Sequence, residues 1–304
     1  MRLSTRDAHV NSEFQFQLLA ESRDSDTGLL RLDSRRLLTK AEVDAYTAAV
    51  EQLLEYRAFR ALFLAADESF AHFIDKCDRV RNDALRLRGR PEEQRQAAIC
   101  LNSLLATALS AFRAFVDHTQ TRLSRRWGSK SDQVRSFRIA IDGERTTSRA
   151  YRILSQLRNF VQHCGVSIRM VAVDSWIENP PRGSHHHRVR IDCDAQDLLH
   201  RYDRWDSAEA DIRELGAEVP LAELSAELRS CLARIAQAVL AVENIGYSMA
   251  GQHVVSLLSE VNAPGERGVV VKLSPYIEGK QEFSIIQVPM DVLRLLGMVK
   301  EESA

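Results

Sequence analysis

No stretch of the chain approaches 18 consecutive apolar residues, so the sequence offers no transmembrane helix. The opening residues, MRLSTRDAHVNSEF, lack the apolar h-region of a signal peptide. Together these absences predict a cytoplasmic protein without a membrane partner. Cysteine pairing is also missing. The five cysteines (77, 100, 164, 193 and 231) are odd in number, dispersed and without CxxC spacing. That argues against a disulfide framework or a zinc site and for small buried apolar residues. The chain contains no GxxxxGK[ST], GxSxG, HExxH or GxGxxG. P-loop ATPases, serine hydrolases, zincins and dinucleotide enzymes are therefore unsupported. Internal repeats and low-complexity tracts are absent as well.

What is present is the composition of a soluble globular protein, with 45% hydrophobic and 27% charged residues. A length of 304 residues suits one large domain or two ordinary ones. The net charge of -1 points to no partner, but the charge is unevenly distributed. Between Arg122 and Arg158 ten basic residues face three acidic ones, and between Ala195 and Glu227 nine acidic residues face three basic ones. Such asymmetry marks either a nucleic-acid footprint or a set of solvated helix faces.

The pattern along the chain predicts a mainly α protein, α+β overall: a helical bundle with a β-hairpin and a small C-terminal β element. Residues 1–38 read as a β-rich segment, with alternation at 13–20 and a short apolar run at 28–32. A helical bundle is expected over 39–165. It starts behind Thr39 as N-cap, with one long helix or two as far as Gly89-Arg90-Pro91. A helix over about 91–126 follows, with Ile99, Leu101, Leu104, Leu105, Ala108, Phe112, Phe115 and Val116 on its apolar face. Ser129-Lys130-Ser131-Asp132 resembles a capping box and opens a shorter helix that Asp142-Gly143 should stop. Residues 166–304 then hold a β-hairpin (166–178 with 185–194, around a Pro/Gly turn) and short polar helices at 195–215. After Pro220 comes a long helical stretch to about Val261, with room for a break near Gly246 or Gly251, ended by 262–265. Strands at 269–273 and 283–288 and a short helix at 289–297 complete the chain. The 166–304 segment is open to packing on the same bundle.

The informative segment is 151–165, YRILSQLRNFVQHCG. At about 100° per residue, Leu154, Leu157, Val161, Cys164, Ile153 and Phe160 share an arc of about 120°. Arg158, Gln162, Ser155, Asn159 and His163 lie opposite. Phosphodiester cleavage is the chemistry such a polar face can perform. An imidazole takes or gives a proton near neutral pH. A guanidinium grips phosphate bidentately and stabilises developing charge. The RNA 2′-hydroxyl is a nucleophile already in place, so a metal is not required. His163 handles the proton, Arg158 the phosphate, and Asn159 orients one or the other. Arg158 and His163 differ by about 140° around the helix, whereas Asn159 and His163 are i,i+4 neighbours that can touch. Arg149, Arg152, Ser155 and Gln162 are the substrate-binding candidates on the same helix. Against this stands the ordinary reading, in which a polar-face Arg and His are solvated or paired with acids.

The match Arg158-Asn159-x-x-x-His163, near the end of a helix in a helical bundle, resembles the motif of the HEPN superfamily. The resemblance covers the bundle, 39–165, and its specific part is six residues long. It implies a metal-independent endoribonuclease that uses no cofactor and acts on RNA as a homodimer. Two copies of the 151–165 helix would face each other across a composite site. It also implies a toxin or phage-defence role, with a cognate antitoxin as a further partner. The alternative is a non-catalytic helical module that binds protein or RNA. An accessory protein of a phage or mobile element is a third reading.

Other histidines are weaker candidates. His185, His186 and His187 follow Arg182-Gly183-Ser184 and run into a strand, where His185 and His187 share a face. They could chelate a metal but show no further ligand nearby, so exposed hairpin histidines are the simpler reading. Asp117 and His118 could enter the groove of His163 if the two helices pack antiparallel. His253 and Glu260 read as ordinary helix residues.

Overall fold

The computed structural model describes residues 14–23, 27, 29–178, 183–261, 266–275 and 281–299. The protein is mainly helical with small antiparallel sheets, as the patterning predicts. The elements are, in order, β1 (Gln15–Arg23), β2 (Leu30–Leu37), α1 (Lys40–Asn82), α2 (Ala84–Leu87), α3 (Pro91–Trp127), α4 (Asp132–Thr147), α5 (Arg149–Cys164), β3 (Met170–Ile177), β4 (His185–Asp192), α6 (Ala195–Arg201), α7 (Ala208–Leu215), α8 (Leu221–Leu258), β5 (Arg267–Leu273), β6 (Phe283–Ile285) and α9 (Met290–Leu295). Residues 179–182 of the expected hairpin tip and the expected helix stop at 262–265 lie outside the described residues.

The chain forms two compact units, Met1–Ala58 with Glu243–Ala304, and Phe59–Val242. These limits differ from the divisions at 38/39 and 165/166 suggested by the change of pattern. They fall within α1 and α8, each a continuous helix where the sequence allowed a break. Gly246 and Gly251 are helical residues of α8 and do not interrupt it.

The first unit is built on an antiparallel sheet of order β2-β1-β5-β6. β1 pairs on both edges, so that Gln17 lies opposite Leu37 on one side and Val271 on the other. One face of the sheet buries Leu19, Leu32, Val269, Val271 and Leu273 as a small apolar cluster. Thr39 and Glu42 form a reciprocal capping box at the start of α1. The Glu42 amide donates to the Thr39 hydroxyl (3.3 Å) and the Thr39 amide to the Glu42 carboxylate (2.8 Å). Bonds from the Arg36 guanidinium, then from Thr39, hold the Glu42 carboxyl at about 2.

The second unit packs α3, α4, α5, α6, α7, the β3–β4 hairpin and parts of α1 and α8 around one core. Pro91 occupies the first turn of α3, where its missing N–H costs nothing. Gly128 ends that helix at φ 87°, a conformation open to glycine. α3 is the one helix among the described residues long and apolar enough to cross a membrane by length and composition. Its Leu101, Leu105, Ala108, Phe112, Phe115 and Leu123 are buried in the core. Ile99, expected on the apolar face, is 55% exposed instead. α4 begins at the Ser131 cap, whose hydroxyl accepts from the Val134 amide (3.3 Å). It does not stop at Asp142-Gly143 but runs on to Thr147, because Gly143 adopts no positive φ and Thr146 and Thr147 donate back to the preceding turn. Ser148 then serves as the C-cap of α4 and the N-cap of α5.

Candidate functional site on helix α5

α5 is fixed from both ends and along one face. At its start the Ser148 hydroxyl accepts from the Tyr151 amide (3.1 Å) and donates to Glu227 of α8 (2.6 Å). At its end Gly165 takes φ 98°, and the Arg201 guanidinium donates to the Cys164 and Val166 carbonyls, so orphan helix-terminal acceptors are satisfied. Ala150, Tyr151, Ile153, Leu154, Leu157 and Phe160 are buried, which is the apolar stripe read from the sequence. Phe160 stacks on buried Trp205 (centroids 5.8 Å apart) and lies under the Arg201 guanidinium. This aromatic contact sets the position of the segment that follows Trp205 and opens α7.

The polar side of α5 borders a cleft of about 400 Å³. Arg113, Arg145, Arg152 and Arg158 line it, together with Ser155, Gln156, Asn159 and Asp206. Three of the four arginines have carboxylate partners. Arg113 pairs with Asp117 (2.8 Å), Arg145 with Asp142 (3.3 Å) and Arg152 with Asp211 (2.6 Å). Arg158 meets no carboxylate among the described residues. Its Nε is buried without a hydrogen-bond partner, and its Nη1 makes a long bond to Asn159 Oδ1 (3.3 Å). From there a polar chain runs along the rim: Asn159 Nδ2 donates to Gln156 Oε1 (3.1 Å) and Gln156 Nε2 to Asp206 Oδ2 (3.0 Å). Asp206 has φ 49°, the one positive φ at a non-glycine among the described residues, and Asp tolerates that region better than most side chains.

The residues singled out from the sequence fall into distinct environments. Arg158, Asn159, Ser155 and Arg152 line the cleft; His163, Gln162 and Arg149 do not. His163 and Gln162 are exposed on the last turn, and Arg149 is exposed on the first. Arg152 is engaged throughout its guanidinium. It makes two bonds to Asp211 and two more, each 2.9 Å, to the carbonyls of Arg145 and Thr146. The bonds it donates to Asp211 raise its already high pKa further. Asn159 does not turn toward His163; its bonds go to Arg158 and Gln156. The Ser155 hydroxyl donates to the Tyr151 carbonyl (2.6 Å), and burial pushes the Tyr151 phenol up to about 12. Asp117 is tied to Arg113, and neither it nor His118 lines the cleft.

Gln156, Arg113, Arg145 and Asp206 escaped the sequence reading. Only Gln156 carried a local signal, as the residue one turn before Asn159. The others arrive from α3, α4 and the turn that precedes α7. The opposite charge surpluses of 122–158 and 195–227 turn out to meet at Arg152 and Asp211, so part of that asymmetry serves packing. His185 and His187 gain no third ligand: no group of three or more His, Cys, Asp or Glu suited to a metal occurs among the described residues.

No protein-family model, no curated protein and no solved structure matches the chain.

Proposed function

We propose that the protein is a metal-independent endoribonuclease of the HEPN type, acting as a homodimer through α5. The observation that carries this reading is Arg158. In a cleft where every other arginine is held by a carboxylate, it alone keeps a buried, unpartnered Nε. A buried donor left unpaired costs about 1–3 kcal/mol. A phosphate oxygen bound there removes that cost and meets the guanidinium with matching geometry.

In this reading Arg158 holds the scissile phosphate, and Asn159, braced by Gln156, sets the plane of its guanidinium. The imidazole of His163 takes the proton of the ribose 2′-hydroxyl. The 2′-oxygen attacks phosphorus, the bond from phosphorus to the 5′-oxygen breaks, and the proton passes to that departing oxygen. The products are a 2′,3′-cyclic phosphate and a 5′-hydroxyl end. Within one chain His163 lies outside the cleft that contains Arg158, about 140° around the helix. A second copy of α5 packed against the first supplies the missing imidazole, so activity and dimerisation go together. Ser155 contacts the RNA within the cleft and Arg149 and Gln162 beside it, whereas Arg152 acts by holding α7. A toxin or phage-defence role with a cognate antitoxin, in the cytoplasm, belongs to the same proposal.

The test is incubation of single-stranded RNA with the protein in excess EDTA. Wild type should cut it and leave cyclic-phosphate ends, and His163→Ala should not. RNA binding by wild type without any turnover would instead assign the chain to non-catalytic binding modules.

A further inference from the structure

The β3–β4 hairpin carries a second feature that the cleft does not use. Its register places Val171, Val173, Val189 and Ile191 on one face, where Val171 and Val189 are buried in the core of the unit and the other two pack against it. The opposite face carries Met170, Ala172, Asp174 and Trp176 on β3 and His186, Arg188, Arg190 and Asp192 on β4. Trp176 is 49% exposed, although an indole is among the costliest side chains to leave in water. It is also held in place. The His186 ring stacks on it (centroids 5.5 Å apart, 19° between planes), and Glu178 fixes His186 through its Nε2 (3.0 Å).

Arginines follow along the strand from this pair. Arg188 is exposed and forms no ion pair among the described residues. Arg190 reaches Asp174 and Glu218 only at 3.8 Å. His186, Arg188 and Arg190 follow one another at every second residue on one face, in steps of about 7 Å. That spacing approaches the distance between successive phosphates on an extended strand. Asp174 and Asp192 are the acids on this face, and Glu178 is occupied by His186.

We propose that this face is a docking platform for single-stranded RNA. One base stacks on the exposed part of the Trp176 indole, and the sugar–phosphate backbone runs along Arg188 and Arg190. A duplex keeps its bases stacked on each other and has none to offer the indole, so the platform selects single strands. The hairpin follows directly on α5 in the chain, where the Arg169 amide donates to the Asp192 carbonyl at its start. The inference deepens the nuclease reading by naming its substrate as unpaired RNA, and in that sense rests on it.

The experiment measures binding of a short single-stranded RNA, and of a duplex of equal length, to the full chain carrying His163→Ala, so that nothing is cut. Trp176→Ala in that background should weaken single-strand binding about tenfold or more and leave duplex binding unchanged. Trp176→Phe should restore most of the loss. Arg188→Ala should reduce the slope of log affinity against log salt by about 0.7, one phosphate contact. Unchanged single-strand affinity in Trp176→Ala, or an equal loss for duplex, overturns the platform. The two proposals fail separately. An inactive wild type with a Trp176-dependent affinity leaves the platform standing without the nuclease. Cleavage by wild type with unchanged Trp176→Ala binding leaves the nuclease without the platform.

Discussion

Arg152 is bound by Asp211 in a bidentate ion pair, with N–O distances of 2.6 and 2.8 Å, and both side chains are largely buried (17% and 13% exposed). The pair joins α5 to α7. Arg158, six residues further along the same helix, has no such partner among the described residues. Two arginines that look alike in the sequence are therefore assigned different work, and mutation should separate them. Arg152→Ala strands a buried carboxylate and should cost about 3 kcal/mol of stability. Arg158→Ala removes an unpaired donor together with the packing of its half-buried stem, two effects of opposite sign, and should shift the urea midpoint far less than Arg152→Ala while abolishing RNA cleavage. Denaturation curves and cleavage rates on the same preparations check both.

If Arg158 of one copy works with His163 of a second copy, two dead variants should complement each other. Arg158→Ala and His163→Ala are each inactive alone. Unfolded together and refolded, they form mixed dimers that retain one intact pair. The mixture should recover about a quarter of wild-type activity, since half the dimers are mixed and each has one of its two sites. A mixture as inactive as its components would place both groups of each site on one chain.

Acid should weaken the contact between α4 and α8. Glu144 is 7% exposed and bonded to Arg234 at 2.6 and 2.8 Å. Those bonds hold its carboxyl below the usual carboxylate range. A depressed folded pKa gives stabilisation that is fully present above the ordinary carboxylate value and lost as pH falls through the folded one. Glu144→Gln should therefore be less stable than wild type at pH 7, by about 1.5–3 kcal/mol. The gap should close on acidification below about pH 4. Thermal melts across pH 3–7, the range set by carboxylate titration, give the comparison.

Two glycines of the first unit should respond to alanine with opposite signs. At Gly246 a Cβ would meet only the amide end of the Gln52 side chain (2.6 Å), which can swing away. Gly246→Ala should then gain about 0.5–1 kcal/mol from helix propensity. At Gly268, on β5, a Cβ would lie 2.3 Å from the Leu258 carbonyl oxygen, which is backbone and cannot move alone. Gly268→Ala should cost about 1–3 kcal/mol. Urea unfolding monitored by circular dichroism distinguishes the two.

The sequence by itself determined the mainly helical class and the apolar face of α5. Apolar spacing put Ile153, Leu154, Leu157 and Phe160 on one side of α5, and burial against water leaves little choice about where that side goes. The Thr39 cap and the β-rich runs of the hairpin were legible for the same reason: each depends on neighbours a few residues away. Only the tertiary structure decided which polar residues remain available. Whether an arginine is a structural clamp or an open anion site depends on carboxylates far along the chain, such as Asp211 for Arg152 and Glu144 for Arg234. The pairing of β1 with β5, some 250 residues apart, was hidden in the same way. Local pattern records what a residue must bury, whereas charge pairing is set by whatever the fold brings within about 4 Å.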